Sequence, residues 1–391
     1  MCVELPSPMS DTIEPFHLQV PQTELDDLRR RLAQTRWPEQ EPVGDWRQGV
    51  PLEKLRALCA YWADGYDWRR CEAALNALGQ GRTTISDLGI HFLHVRSPHE
   101  DALPLILSHG WPGSVVEFLK VIGPLTDPTR YGGEARDAFH LVVPSLPGYG
   151  FSDRPQTPGW SVERIAGLWV TLLGRLGYHR RFGAQGGDWG AAITAAIGAM
   201  NPAGCVGIHL NMAMFSPQPG DEADPSPATV KALALLKRYK KELGGYSKEQ
   251  STRPQTLGYA LTDSPAGQAA WIYEKFYDWT DNDGNPEDVF TWDELLDNIM
   301  LYWLPKTAAS SGRLYWESFG EGASIKQEVT VPAGVSVFPK DIHTAPRNWA
   351  ERSLKQLVYW NDEVERGGHF AAMEQPEIFV REVRACFRLM R

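Results

Sequence analysis

The sequence is poor in the features that mark most specialised protein classes. Its five cysteines, Cys2, Cys59, Cys71, Cys205 and Cys386, are scattered without a C-x-x-C pair. A sparse, odd set reads as reduced thiols rather than a disulfide framework. No stretch approaches the roughly 18 apolar residues that a membrane span needs. Met1 to Val20 lacks the basic segment followed by an apolar core that marks a secretory signal. Positive charge is short: 39 Lys and Arg against 49 Asp and Glu leave a formal net charge of −10. That balance argues against nucleic acid and anionic membrane as partners, since both reward a basic face. The expectation is a cytoplasmic protein. H-E-x-x-H, P-loop and G-x-G-x-x-G patterns are missing. His91 and His94 sit three apart in an expected strand, Ile90 to Val95, where they point to opposite faces and suit no zinc ion. No metal and no cofactor is expected.

What is present is ordinary in bulk and informative in order. The 391 residues are 42% hydrophobic and 23% charged, enough for a sizeable core domain with additions. Residues 1–82 read as a helical N-terminal segment. Thr23 is placed to cap a helix in which Leu25, Leu28 and Leu32 recur at helical spacing, with Asp26 near its positive end. Pro38 stops that helix after Trp37, and further helices are expected near Leu52 to Trp62 and Trp68 to Leu78, with Gly65 between them. This segment can pack on the core or against a second subunit, which leaves a homodimer open. Residues 83–215 change period. Short apolar runs at Leu103 to Ser108, Phe139 to Pro144, Phe182 to Gly186 and Val206 to Met212 alternate with helical stretches at Ser161 to Leu176 and Trp189 to Met200. Such alternation predicts an α/β fold with a mostly parallel sheet. A Pro/Asp/Ser-rich stretch, Ser216 to Pro227, opens an aromatic-rich helical insertion over residues 216–319. Residues 320–391 then supply two more strands, Gly334 to Phe338 and Gln356 to Asn361, and an amphipathic last helix, Glu377 to Arg391. An insertion ahead of the last two strands predicts an α/β-hydrolase core carrying an inserted helical cap.

Gly186-Gly187-Asp188-Trp189-Gly190 joins an expected strand to an expected helix. Small residues two before and two after a central residue define a nucleophile elbow, a turn so sharp that only small neighbours fit. Here the central residue is aspartate. A carboxylate needs no deprotonation at pH 7 and can attack a saturated electrophilic carbon to give an alkyl-enzyme ester. An aspartate capping the helix at Trp189 is the bland alternative. A base and an acid should follow in the order nucleophile, acid, histidine. His369, in Gly367-Gly368-His369-Phe370, follows the expected last strand, and Asp341, in Phe338-Pro339-Lys340-Asp341, follows the one before. Both lie on the rim where open α/β sheets place their sites. His343 competes as base but is not on the final loop. His109-Gly110-Trp111-Pro112-Gly113 follows another strand and supplies a backbone N–H to an oxyanion hole, with the second donor after the nucleophile. The expected donors are therefore the N–H groups of Trp111 and Trp189, while the ring of His109 serves the turn. Tyr149 and Phe151 are candidates for pocket lining.

A ring-opening that places charge on oxygen needs an acid opposite Asp188, and tyrosine can donate without prior ionisation. The insertion offers Tyr239, Tyr246, Tyr259, Tyr273, Tyr277, Tyr302 and Tyr315. Spacing does not choose among them.

The chain resembles the microsomal-type epoxide hydrolases, including their soluble bacterial and fungal branch, over nearly its whole length. The resemblance lies in Arg36-Trp37-Pro38 and Tyr66-Asp67-Trp68-Arg69, in the two glycine-rich turns already quoted, and in the insertion. There Tyr246 precedes Thr252-Arg253-Pro254-Gln255-Thr256, Leu261-Thr262-Asp263-Ser264-Pro265 and Glu274-Lys275-Phe276, and Arg313-Leu314-Tyr315-Trp316-Glu317 follows. It implies a hydrolase acting on ether bonds that converts a small-molecule epoxide to a vicinal diol. It also implies Tyr246 and Tyr315 as the oxygen-activating pair, Asp341 as acid and His369 as base. Mammalian members carry a membrane anchor that is not seen here and glutamate where Asp341 stands; soluble relatives often use aspartate. Relatives act in natural-product pathways, enediyne antibiotics among them, or on xenobiotic epoxides. A haloalkane dehalogenase would share the aspartate but present asparagine at position 111 and lack the tyrosine pair. A serine esterase would need serine at the elbow. A catalytically inactive binding protein would show an eroded triad, and here every position is filled.

Overall fold

Continuous apolar runs and helical periodicity alternate along the chain, and each run becomes a strand of a single sheet. The structure, a computed structural model, describes residues 11–318 and 327–391. Cys2, the leading residues through Ser10 and the expected boundary at 319–320 lie outside the described residues.

The strands are β1 (Glu14–Pro15), β2 (Gln80–Ile85), β3 (Leu88–Val95), β4 (Leu103–Ser108), β5 (Phe139–Pro144), β6 (Phe182–Gly186), β7 (Cys205–Leu210), β8 (Val329–Ser336) and β9 (Leu354–Asn361). Among the described residues these nine form one sheet in the order β1-β2-β3-β5-β4-β6-β7-β8-β9. The pairs from β1 to β3 and from β3 to β5 are antiparallel, and every other pair is parallel. β4, β5 and β6 are buried along their whole length. That burial is why they read as largely apolar runs, broken only by Ser108, His140 and Gln185, instead of alternating ones.

The N-terminal segment carries α1 (Gln22–Ala33), α2 (Leu52–Asp64) and α3 (Trp68–Asn76), and the first part of the core carries α4 (Leu119–Thr126), α5 (Val162–Arg175) and α6 (Trp189–Met200). α5 buries Ile165, Ala166, Leu168, Trp169, Leu172 and Leu173 on one face, each large side chain worth about 1.5–3 kcal/mol of burial. Between β7 and β8 the chain builds α7 (Pro227–Arg238), a π-helical turn (Tyr239–Leu243), α8 (Gly245–Thr252), α9 (Pro254–Asp263), α10 (Pro265–Asp278), α11 (Trp292–Trp303) and α12 (Ala308–Ser318). Three helices close the chain: α13 (Arg347–Ala350), α14 (Ala371–Glu374) and α15 (Pro376–Arg388). Among the described residues no helix is long and apolar enough to cross a membrane.

Several sequence expectations need correction. α1 ends at Ala33, with Gln34 as its cap, instead of running to Trp37 before Pro38. Thr23 does not cap α1; Pro21 holds the cap position without a side-chain bond, and its carbonyl accepts the Glu24 N–H at 3.0 Å. The chain turns helical directly after the extended Pro21 (ψ 139°), so Thr23 is already the second helical residue and sits too late to cap. The segment expected to be helical also begins in β1 and ends in β2. The strand character of Gln80–Ile85 depends on its partner: a Cβ on Gly81 would meet the Phe92 ring at 2.6 Å. The helices of this segment brace the insertion. Tyr66 donates to Asp297 Oδ1 at 2.7 Å, Arg70 reaches both oxygens of Asp297 at 2.7 Å, and the Trp62 indole N–H points at Met300 Sδ at 3.3 Å.

Candidate active site

The geometry begins with the turn between β6 and α6. Asp188 has φ 52° and ψ −132°, a conformation that costs a side-chain-bearing residue about 1–3 kcal/mol. Absent side chains on either side make it feasible. A Cβ on Gly186 would stand 2.1 Å from the Gly190 carbonyl oxygen, and one on Gly190 would stand 1.9 Å from that of Ser108. Asp188 occupies the cap position of α6 but makes no side-chain capping bond. Its carboxylate instead faces across the sheet: Oδ1 accepts the Trp111 backbone N–H at 2.8 Å, and Oδ2 lies 3.4 Å from His369 Nε2. Trp111 follows β4, and a Cβ on Gly110 would stand 2.1 Å from Asp188 Oδ1, so this close approach requires glycine.

His369 sits on the loop after β9. Its Nδ1 lies 2.9 Å from Oδ1 of Asp341, on the turn after β8, and its backbone N–H donates to the Trp279 carbonyl at 2.8 Å. All three side chains of this array are shielded from solvent. Burial opposes charge on the imidazole, but the carboxylates of Asp341 and Asp188 outweigh it and hold the ring well above its ordinary value.

The insertion places Tyr246, on α8, and Tyr315, on α12, over the same rim. Their rings meet edge to face at 5.8 Å. Tyr246 stacks on the Trp111 indole at 4.9 Å, while Tyr315 sets its ring edge-on to Trp111 at 5.9 Å and to Trp189 at 4.9 Å. Burial first, then a neighbouring phenol and Asp188, hold both hydroxyls well above the usual phenol range, so both are protonated donors. The other tyrosines of the insertion are turned elsewhere. Tyr259 is exposed, Tyr277 stacks on Trp46, Tyr273 bonds Glu287, and Tyr302 donates to the Gly113 carbonyl at 2.6 Å. Tyr239 reaches the Tyr246 hydroxyl at 3.2 Å.

Thus Asp188, His369, Asp341, Tyr246, Tyr315, Trp111 and Trp189 converge on one rim. His343 does not join them. It is half-buried against the backbone of Ala213 and Thr344, and the protein packed around its ring pulls it down. His109 serves its turn, with Nδ1 at 2.9 Å from the Gly110 carbonyl and Nε2 accepting the Leu146 N–H at 3.3 Å. Tyr149 packs edge-on against His109, whereas Phe151 lies against Phe16 and His91. His91 and His94 bond Ser145 with Gln80 and Tyr178 respectively, as ordinary strand residues.

Two acidic residues near the site escaped sequence reasoning. Glu374, in α14, accepts the N–H groups of Phe370 at 2.8 Å and of Gly368 and Asp281 at 2.9 Å. Asp281 in turn accepts the Gly367 N–H at 2.9 Å. One carboxylate therefore pins the histidine loop to the end of α10, even though burial pushes it up to about 7. Glu117, just past the Trp111 turn, keeps some accessible surface, yet protein surrounds its carboxyl and burial pushes it up to about 8. Neither glutamate announces its role in sequence: Glu374 binds Phe370 and Gly368 nearby but also Asp281, far back in the chain, and the charged groups around Glu117 lie on distant segments.

A largely parallel sheet, a strained elbow at the end of a central strand and a helical insertion ahead of the last two strands define an α/β hydrolase. Residues 104–256 match the family model described as alpha/beta hydrolase fold, and residues 13–118 match that described as epoxide hydrolase N terminus. The chain is 56% identical to a putative epoxide hydrolase of Stigmatella aurantiaca, over 97% of this chain and 86% of that protein. It is 35% identical to epoxide hydrolase 1 of Sus scrofa, over 97% and 89%. The solved structure of Aspergillus niger epoxide hydrolase superposes with a TM-score of 0.86 at 32% identity, covering 99% of both chains. The chain belongs to the epoxide hydrolase family, among relatives of the microsomal type.

Proposed function

We propose that the enzyme opens a small-molecule epoxide to a vicinal diol through an ester formed on Asp188. The observation that carries this reading is the division of labour between the two carboxylate oxygens. Oδ1 rests on the Trp111 N–H, so Oδ2 is the oxygen free to attack a ring carbon. Tyr246 and Tyr315, on the helical cap inserted between β7 and β8, hydrogen-bond the epoxide oxygen as the C–O bond breaks. Oδ1 then becomes the ester carbonyl oxygen, already seated on the donor that will receive its charge. The Trp189 N–H is the second donor of this oxyanion hole.

Alkylation also switches the histidine. At rest His369 lies between two carboxylates, which favour its charged form. Esterification removes the charge of Asp188, so the imidazole releases its proton to solvent and becomes a base. It then deprotonates water for attack on the ester carbonyl, while Asp341 holds the ring. Substrates of this class include natural-product intermediates, as in enediyne antibiotic pathways, and xenobiotic epoxides such as styrene oxide.

Two measurements test the mechanism. His369→Gln should be alkylated but stall, so that intact mass rises by one substrate and the adduct maps to the Asp188 peptide. In a single turnover in heavy-oxygen water, the wild-type diol should carry the original Asp188 oxygen, with the isotope retained in the carboxylate. Isotope in the diol and no adduct in His369→Gln would instead show direct attack by water, with Asp188 as a general base.

A further inference from the structure

A buried phenol is a reluctant acid, because its conjugate base must be left in a medium that cannot solvate it. Tyr246 is 5% exposed, and burial already holds its hydroxyl well above the ordinary value. Two groups around it bear on the charge it acquires on giving up a proton. The first is Tyr239, on the π-helical turn seven residues earlier, whose hydroxyl donates to that of Tyr246 at 3.2 Å. An ionised Tyr239 would oppose charge on Tyr246, but burial raises Tyr239 too and keeps it a protonated donor. Single π turns are frequent at functional sites. The second is Lys275, a lysine only 2% exposed on α10. Its ammonium stands 4.8 Å from the Tyr246 ring centroid, 5.7 Å from that of Trp271 and 6.0 Å from that of Trp279, with the neighbouring Glu274 carboxylate as its ion partner. Buried lysines are rare without a reason, and a box of aromatic faces attracts a cation. That cation lies against the one ring that would turn anionic.

We propose that Tyr239 and Lys275 are positioning residues for Tyr246, stabilising the charge left on its oxygen and making it the member of the tyrosine pair that gives up its proton. The inference rests on the covalent reading given above. In the step concerned, the Asp188 Oδ2–carbon bond forms and the epoxide carbon–oxygen bond breaks. The electron pair of the broken bond stays on oxygen, which takes the Tyr246 proton. Tyr246 is left as a phenolate that accepts from Tyr239 and is attracted by Lys275. It regains a proton from solvent, and the proton that His369 takes from water during ester hydrolysis balances the cycle.

The test measures ester formation and ester decay separately, by rapid quench and intact mass with styrene oxide. Tyr239→Phe and Lys275→Met should each slow ester formation about 10-fold, the scale of one hydrogen bond or cation acting on a developing charge. Ester decay should stay within about 2-fold of wild type, and Lys275→Arg should recover most of the loss because it keeps the charge. The decisive variants are doubles. If both groups act through Tyr246, adding Tyr239→Phe or Lys275→Met to Tyr246→Phe should cost nothing more, whereas adding either to Tyr315→Phe should multiply the losses. Unchanged ester formation in the single variants, or multiplied losses in the Tyr246→Phe background, would overturn the proposal while leaving the covalent mechanism standing. Failure of the wild type to form any adduct would overturn both.

Discussion

Adding one methyl group at Gly190 should unfold much of the site's architecture. The new Cβ would stand 1.9 Å from the Ser108 carbonyl oxygen and 3.0 Å from that of His109. Ordinary van der Waals contact begins near 3.4 Å, so α6 or the end of β4 must retreat by about 1.5 Å. Neither can do so alone, since α6 buries Ala191, Ile193, Thr194, Ala196 and Ile197 and β4 is buried throughout. Overpacking of a dense core costs about 1–3 kcal/mol even when side chains can yield; here both parties are backbone, and a loss of about 3 kcal/mol or more is expected for Gly190→Ala. Activity should fall further, because Asp188 is the cap residue from which α6 starts, and a displacement near 1 Å costs on the order of 100-fold. The control is Gly174→Ala on α5, where a Cβ meets nothing within 4 Å. That variant should gain about 0.5–1 kcal/mol by restricting the unfolded chain. Urea unfolding and initial rates of diol formation read both quantities. A Gly190→Ala protein within about 1 kcal/mol and 3-fold of wild type would refute the reasoning.

Gly110→Ala directs the same methyl at a side chain, 2.1 Å from Asp188 Oδ1, so ester formation should drop at least about 100-fold while urea stability changes by no more than about 1–2 kcal/mol; equal losses of both would contradict it. Tyr246→Phe and Tyr315→Phe should each slow ester formation about 10²- to 10⁴-fold, and a folded double variant with wild-type turnover would exclude these hydroxyls as donors. Glu117→Gln is a test of linkage: the carboxyl is pushed up to about 8 from an ordinary 4.5, so the stability it contributes is fully present below about 4.5 and is lost as pH rises through 8. The variant should match wild type below about pH 4.5 and exceed it near pH 9, by an amount on the order of 5 kcal/mol; parallel stability–pH curves would show that this carboxyl is not held protonated.

Features that depend on neighbours in the chain were legible from the sequence. The strands β4, β5 and β6 are short apolar runs between turn residues, and the elbow announces itself through small residues whose absence of Cβ is structurally required. Features that depend on remote partners were not. β2 shows its register only against β3, and α1 starts directly after Pro21, too early for Thr23 to cap it, which a cap preference alone does not reveal. Seven tyrosines of one insertion look alike in sequence, and only the fold turns Tyr246 and Tyr315 toward Trp111 while sending Tyr273 to Glu287 and Tyr302 to Gly113. Glu374 is the clearest case, since its three donors come from two segments about 90 residues apart.

On the mechanism proposed above, an aspartate elbow needs donors from the helical insertion that a serine elbow does not. A serine nucleophile attacking a carbonyl puts the new charge on an oxygen attached to the attacked carbon, within reach of the backbone donors beside the elbow. An aspartate attacking an epoxide puts the first charge on the departing oxygen, on the far side of that carbon from Asp188. The N–H groups at the end of the sheet cannot reach it, and Oδ1 already occupies the one from Trp111. The donor must therefore come from above the sheet, must be protonated at neutral pH, and must be rigid. Two phenols buried among indoles meet all three conditions. Trp111 joins the halves, with its N–H on the carboxylate and its indole stacked under Tyr246, so on the proposed mechanism both developing anions are positioned from one residue.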